Sequence, residues 1–138
     1  MSQQQHSEKR AVPPPRLKKR REFLAVARGV FAPMPCVVVQ MRRRGGDDTA
    51  PARVGFTTTK RIGKAVVRNR ARRRLREAVR LLAAREGEAL LRAGHDYVFI
   101  ARDETATCDF AELVQQVRSA LRRLNAGKGR ASRPRRGR

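Results

Sequence analysis

The groups with chemistry to offer are guanidiniums. From Lys60 to Arg76 the chain reads KRIGKAVVRNRARRRLR, with Lys60, Arg61, Lys64, Arg68, Arg70, Arg72, Arg73, Arg74 and Arg76 as its cations and no acid between them. Glu77 and then Glu86 are the first carboxylates downstream. Exposed helices ordinarily interleave Glu with Lys or Arg, because like charges at i and i+4 cost about 0.2–0.5 kcal/mol per pair. An anionic partner relieves that repulsion. A planar guanidinium can hold two phosphate oxygens at once or stack on an exposed base. Folded RNA offers both, since its phosphates converge and its loops carry unstacked bases. A reader of duplex DNA would show a docking motif such as two helices joined by a tight turn, and none is visible. The net charge of +22 points to the same class of partner, a polyanion, with a membrane surface the weaker choice.

The residues that could make this chain a catalyst are scattered. A hydrolytic nuclease needs clustered acids to hold metal ions or a histidine pair for proton transfer. Asp47 and Asp48 stand in one turn, Asp103 and Glu104 beyond a later strand, and His6 in an N-terminal arm. His95, in a Gly-His-Asp turn, has no evident partner. Cys36 and Cys108 lie far apart, each in an apolar segment. They read as two reduced, buried thiols of a cytoplasmic protein, too few for a zinc site. No apolar run approaches the length of a membrane span.

The cations need a frame. At about 100° per residue, Val67, Ala71, Leu75, Ala78 and Leu82 form one stripe of a long helix over Lys64–Arg85. Asn69, Arg73, Arg76 and Arg80 fall on the opposite side, with Arg68 and Arg72 at one edge and Arg70 at the other. Arg74 projects beside the apolar stripe and must run along it. Upstream, Phe23, Val26, Ala27 and Val30 give a helix from Leu17, ended by Gly29, Pro33 and Pro35. CVVVQM (Cys36–Met41) and RVGFTTT (Arg53–Thr59) read as strands of an antiparallel hairpin across a polar turn. YVFIA (Tyr97–Ala101) is continuously apolar, as in an interior strand covered on both faces. A last helix from Asp109 to Leu124 starts with Asp109 and Glu112 as a capping pair and buries Phe110, Leu113, Val117, Ala120, Leu121 and Leu124. Residues 1–15, ending in three prolines, form a disordered or extended basic arm, and 126–138 a Gly-, Pro- and Arg-rich disordered tail. The order helix, strands, helix, strand, helix over residues 16–125 gives one α/β (α+β) two-layer sandwich.

TTTKRIGKAVVRNRARRRLRE resembles the signature of the bacterial ribonuclease P protein component. Lys60, Gly63, Ala65, Val66, Arg68, Asn69, Arg70, Arg72, Arg73 and Arg76 match it position by position. RLKKRREFLAV resembles that family's first helix, RVGFTTTK its strand before the basic helix, and GHDYVFIAR its last strand. The likeness spans about residues 16–124.

The resemblance implies a small mixed four-stranded sheet in the order α-β-β-β-α-β-α, with a left-handed βαβ crossover against the usual right-handed preference. It also implies a function: binding the catalytic RNA of ribonuclease P and the 5′ leader of precursor tRNA. The RNA and its Mg2+ ions do the chemistry, and the protein binds no metal and needs no protein partner. On that footing Lys60, Arg61, Lys64, Arg68, Asn69, Arg70, Arg72, Arg73, Arg76 and Arg80 are expected at the RNA. Lys18, Phe23 and Phe56 are expected in the leader cleft between the sheet and the first helix. This chain departs from the family there: Ala27 stands one helical turn after Phe23, and CVVVQM carries no aromatic. Phe110 is a further stacking candidate. The rival readings are a structural nucleic-acid-binding protein of ribosomal or nucleoid type and a protein-only nuclease.

Overall fold

The computed structural model describes residues 13–132. Helix α1 spans Arg20–Ala27, β1 Val30–Pro33, β2 Val37–Arg43, β3 Arg53–Thr57, α2 Ala65–Glu86, β4 His95–Ala101, α3 Phe110–Asn125 and β5 Arg130–Ala131. Short 3-10 turns at Lys60–Ile62 and Gly87–Ala89 bracket α2. The five strands form one sheet in the order β3-β4-β2-β1-β5.

β4 sits inside this sheet, parallel to β3 and antiparallel to β2. Its alternation splits the core. Tyr97, Phe99 and Ala101 face α2 and α3 with Val37, Val39, Leu75, Leu82, Leu113 and Leu121. Val98 and Ile100 face α1, packed with Leu17, Phe23 and Val26. Apolarity on both faces is therefore what the continuous YVFIA run encodes. Asp109 caps α3, its carboxylate accepting from the Glu112 N–H at 3.3 Å, and the expected apolar stripe of that helix is buried behind it.

Three expectations change. The first helix stops at Ala27, and Val30 belongs to β1, paired with Met41. Gly29 lies so close to the Met41 carbonyl that any side chain there would collide with it, which seats the turn into β1. CVVVQM and RVGFTTT do not form a hairpin, because β4 lies between them. Local alternation cannot distinguish a neighbouring strand from one two places away. The sheet has five strands rather than four, since Arg130–Ala131 of the supposed disordered tail pairs with Val30 and Phe31 of β1. At the other edge, Pro15 and Leu17 bond to both backbone groups of Val54, at 2.9 and 2.8 Å. The arm thus covers part of the β3 edge, and the other edge is the two-residue β5, too short to favour edge-to-edge association. Residues 1–12 of the arm and 133–138 of the tail lie outside the described residues.

One buried charge ties the elements together. Asp96, fully buried at the start of β4, accepts from Arg44 at 2.6 Å and from Arg53 at 2.8 and 3.0 Å. Arg44 also reaches Asp48 and the carbonyls of His95, Ala50 and Pro51, so it closes the loop between β2 and β3. Arg53 also donates to Glu22 at 3.0 Å. Glu22 in turn accepts from the Lys18 and Lys19 N–H groups at 2.8 and 2.9 Å, which secures the start of α1.

Replacing Asp96 by Ala would leave Arg44 and Arg53 with only their outer partners and should destabilise the fold by about 3 kcal/mol in denaturant titration, the lower end for a broken buried ion pair. Acid should act through Glu22. The backbone donors of Lys19 and Lys18, then Arg53, lower its pKa from 4.5 to about 2. Stabilisation from this depressed carboxylate is complete above the ordinary value and disappears as pH falls through the folded one. The melting temperature of Glu22→Gln should accordingly fall less steeply than wild type between pH 4.5 and 2.

Candidate nucleic-acid interface

Helix α2 sets out the cations as the periodicity requires. Ala71, Leu75, Ala78, Val79 and Leu82 are buried, and Val67 is half-buried at the edge of the core. Lys64, Asn69, Arg70, Arg73 and Arg80 are exposed, and Arg68, Arg72 and Arg76 are partly so. Lys60 and Arg61, in the turn before the helix, are exposed as well. Gly63 connects that turn to α2 at φ +143, a left-handed conformation that glycine adopts without strain.

The arginines divide by what their heads touch. Arg68 folds back on the Gly63 carbonyl at 2.7 Å and holds the turn against the helix. Arg72 donates to Asn69 Oδ1 at 2.6 Å. That contact occupies the amide oxygen and leaves the amide N–H groups of Asn69 to face an acceptor from a partner. Arg80 pairs with Glu77 at 2.6 Å, so this predicted RNA contact has part of its charge balanced within the helix. The pairing raises the Arg80 pKa and lowers that of Glu77. Arg74 leaves the apolar stripe for the loop between β4 and α3, donating to the carbonyls of Thr105, at 3.0 Å, and Cys108 and lying over the Phe110 ring. It is a clamp on the fold. Among the described residues, Lys60, Arg61, Lys64, Arg70, Arg73 and Arg76 make no side-chain hydrogen bond or ion pair. They form the free ridge.

The three residues assigned to a leader cleft do not come together. Phe23 lies on the α1 face of the sheet, half-buried against Ile100 and Val98. Its ring sits on Gly55, where an added Cβ would stand 2.5 Å from the ring edge. Lys18, exposed, begins the same face just before α1. Phe56 points to the opposite face, stacked on Phe99 with ring centroids 5.5 Å apart. Successive residues of β3 project to opposite sides, so Gly55 and Phe56 cannot share a cleft. Phe110 is packed under Arg74 against the core. Beyond Phe23, the uncovered end of the α1 face holds a 360 Å³ cleft walled by Val38 and Ile100 and rimmed by Arg61, Arg102, Asp103 and Glu104.

The fold joins the two cysteines. Thr105 Oγ1 donates to the Cys36 carbonyl at 2.6 Å, and Cys108, half-buried, packs against the apolar cluster that contains Cys36. Burial, then the neighbouring Cys36, raises the Cys108 thiol to about 11, far from a reactive thiolate. Both are free cysteines. No group of three or more His, Cys, Asp or Glu among the described residues could hold a metal ion.

A family described as Ribonuclease P matches residues 13–125. The chain belongs to that family. It is 55% identical over 109 residues to the ribonuclease P protein component of Gluconacetobacter diazotrophicus, covering 78% of this chain and 89% of that one. It is 50% identical over 111 residues to the component of Caulobacter vibrioides NA1000, covering 80% and 71%. The solved ribonuclease P protein of Thermotoga maritima superposes with a TM-score of 0.57 at 29% identity, covering 82% of this chain and 94% of that chain. That of Staphylococcus aureus gives 0.57 at 23% identity with the same coverage and shows the fold alone. Membership carries the coarse role with it, that of a ribonuclease P protein subunit in tRNA processing.

Sequence reasoning missed Arg16 and Gly55. Arg16 lies over Phe56 at 5.1 Å from the ring centroid, and only the pairing of its neighbours with Val54 puts it there. Gly55 reads in the sequence as one more strand residue, although a glycine within a strand is a signal of close approach.

If the free ridge neutralises phosphates, Arg73→Ala should lower the slope of log affinity against log salt by about one unit and weaken RNA binding by about 1–3 kcal/mol. Asn69→Ala should weaken binding with the slope unchanged, because it removes no charge. Filter binding across a salt series measures both.

Proposed function

We propose that this chain docks on the catalytic RNA of ribonuclease P through the exposed side of α2 and holds the 5′ leader of precursor tRNA on the α1 face of the sheet. The assembled particle then removes the leader to give the mature tRNA 5′ end. The observation that carries this reading is the free ridge of Lys64, Arg70, Arg73 and Arg76 on a helix whose reverse side is buried, in a chain of this family. Rigid placement matters because a helix already fixed by packing loses less freedom when phosphates arrive.

The leader reading rests on Phe23, seated on Gly55, with the cleft of Val38 and Ile100 beyond it and Arg61 at its rim. Lys18 stands at the start of α1 as a further cation for the strand's backbone. Phe56 is excluded by its place on the other face. With Ala27 and Val38 in the groove, Phe23 offers a ring to a leader base, and Phe31 of β1 projects to the same face of the sheet. Single-strand binding here then relies on charge and apolar contact more than on serial stacking.

The catalytic centre belongs to the RNA in this proposal. Magnesium ions would be held by RNA phosphates, since the described residues of the protein bring no carboxylate cluster together. The protein's part is electrostatic: it screens the repulsion between two RNAs and positions the substrate. It acts in the cytoplasm, where its two thiols stay reduced, and needs no second protein. A purely structural nucleic-acid-binding role would share the charge but not the family.

The test is precursor-tRNA cleavage with the catalytic RNA, the protein, or both. At low magnesium both components should be required, and at high magnesium the RNA alone should recover activity. Cleavage by the purified protein without RNA would overturn the placement of the catalytic centre.

A further inference from the structure

The face of the sheet away from α1 carries a second cleft that the leader reading leaves unused. It encloses 260 Å³ between the N-terminal arm, β3 and α2. Pro13 and Pro14 form one wall, Val54 and Phe56 the floor, and Arg73 and Arg76 the opposite wall.

Its construction is specific. Phe56 has its ring stacked on Phe99, at an interplanar angle of 21°, so it is rigidly backed from the core. Arg16 lies over the ring at 5.1 Å, giving a flat cation-aromatic layer. The arm cannot drift from this place, because Pro15 and Leu17, on either side of Arg16, both bond to the backbone of Val54. Across the gap, Arg73 and Arg76 bring two guanidiniums with no side-chain partner among the described residues. The one carboxylate in the lining, Glu77, is already held by Arg80 at 2.6 Å.

An aromatic ring, a guanidinium laid on it and two free guanidiniums opposite are the parts of a site for a stacked base with its phosphates. A duplex is too wide for a cleft of this volume, whereas one unpaired base fits. We infer that this cleft is a subsite for a single unpaired nucleotide of RNA, its base against the Arg16–Phe56 layer and its flanking phosphates against Arg73 and Arg76. The inference rests on the RNA-binding reading of α2 and adds a defined site to it. It assigns Phe56 to this subsite, separate from the groove on the α1 face. Two RNAs could supply the nucleotide, the catalytic RNA or the precursor, and the recognised chemistry is the same.

The probe is a single-stranded RNA hexamer carrying one 2-aminopurine, whose fluorescence is quenched on stacking. The chain has no Trp, so protein emission does not interfere. Wild type should quench the probe. Phe56→Leu and Arg16→Ala should each weaken binding roughly five- to hundred-fold, the range for loss of one base stack. Phe56→Leu should leave the salt slope unchanged, and Arg73→Ala should lower it by about 0.7, the increment per phosphate on a single strand. Arg16 is exposed, so its variant keeps the test valid should Phe56→Leu perturb the core. Wild-type affinity and quenching in Arg16→Ala would overturn the proposal.

Two further arms identify the source, measuring affinity for the catalytic RNA and affinity of the assembled particle for precursor tRNA. A loss in either arm supports the subsite and names the RNA that fills it. Wild-type values in both overturn it. Should the wild-type protein fail to lower the magnesium requirement of cleavage, the processing role falls, while the hexamer experiment still decides the cleft.

Discussion

Burial of one side of α2 against the sheet is the constraint on which the interface depends. Arg68, Arg72, Arg76 and Arg80 follow each other at i, i+4, and each such like-charge pair opposes the helix by about 0.2–0.5 kcal/mol. Burying Leu75 and Leu82 alone returns about 1.5–3 kcal/mol each, and Ala71, Ala78 and Val79 are buried beside them. Packing outweighs repulsion. The helix therefore stays formed with most of its cations uncompensated, Arg80 with Glu77 being the exception, and the electrostatic cost is held as an attraction for an anionic partner. Arg74 and Arg68 contribute differently, spending their donors on backbone carbonyls to fix the two ends of the surrounding framework.

A second constraint keeps the sheet that receives α2. β4 lies between a parallel and an antiparallel neighbour, and its first buried residue, Asp96, is shared by Arg44 and Arg53. One carboxylate thereby connects the loop after β2, the start of β3 and, through Glu22, the first turn of α1. In so basic a chain an acid is scarce, and most of those that are paired do structural work. Asp96, Asp48 and Glu22 hold the sheet and α1, and Glu86 joins α2 to α3 through Arg118. Glu77, the carboxylate beside the ridge, is itself taken up by Arg80.

The two faces of the sheet give the protein two different surfaces. The α1 face is apolar at Phe23, Val38 and Ile100, with Arg61 and Arg102 beside Asp103 and Glu104 at its rim. The α2 face is fenced by guanidiniums carried on a fixed helix, suited to a folded scaffold. Adjacent residues of β3 separate them: Gly55 receives the Phe23 ring on one side, and Phe56 stacks on Phe99 on the other.

What the sequence determined by itself is what repeats locally. The 3.6-residue spacing of Ala71, Leu75, Ala78 and Leu82 fixed which side of α2 would be buried, hence which arginines would be exposed. The unbroken run in β4 announced burial on two faces, and Asp109 announced the start of α3. Tertiary structure decided whatever depends on partners distant in the chain. It placed β4 between β2 and β3, turned Val30 from helix to strand, and drew Arg130–Ala131 onto β1. It also parted Phe56 from Phe23 and laid Arg16 over Phe56. Strand pairing and side-chain stacking join residues that no local period connects, and their free energy appears only once the chain has closed on itself.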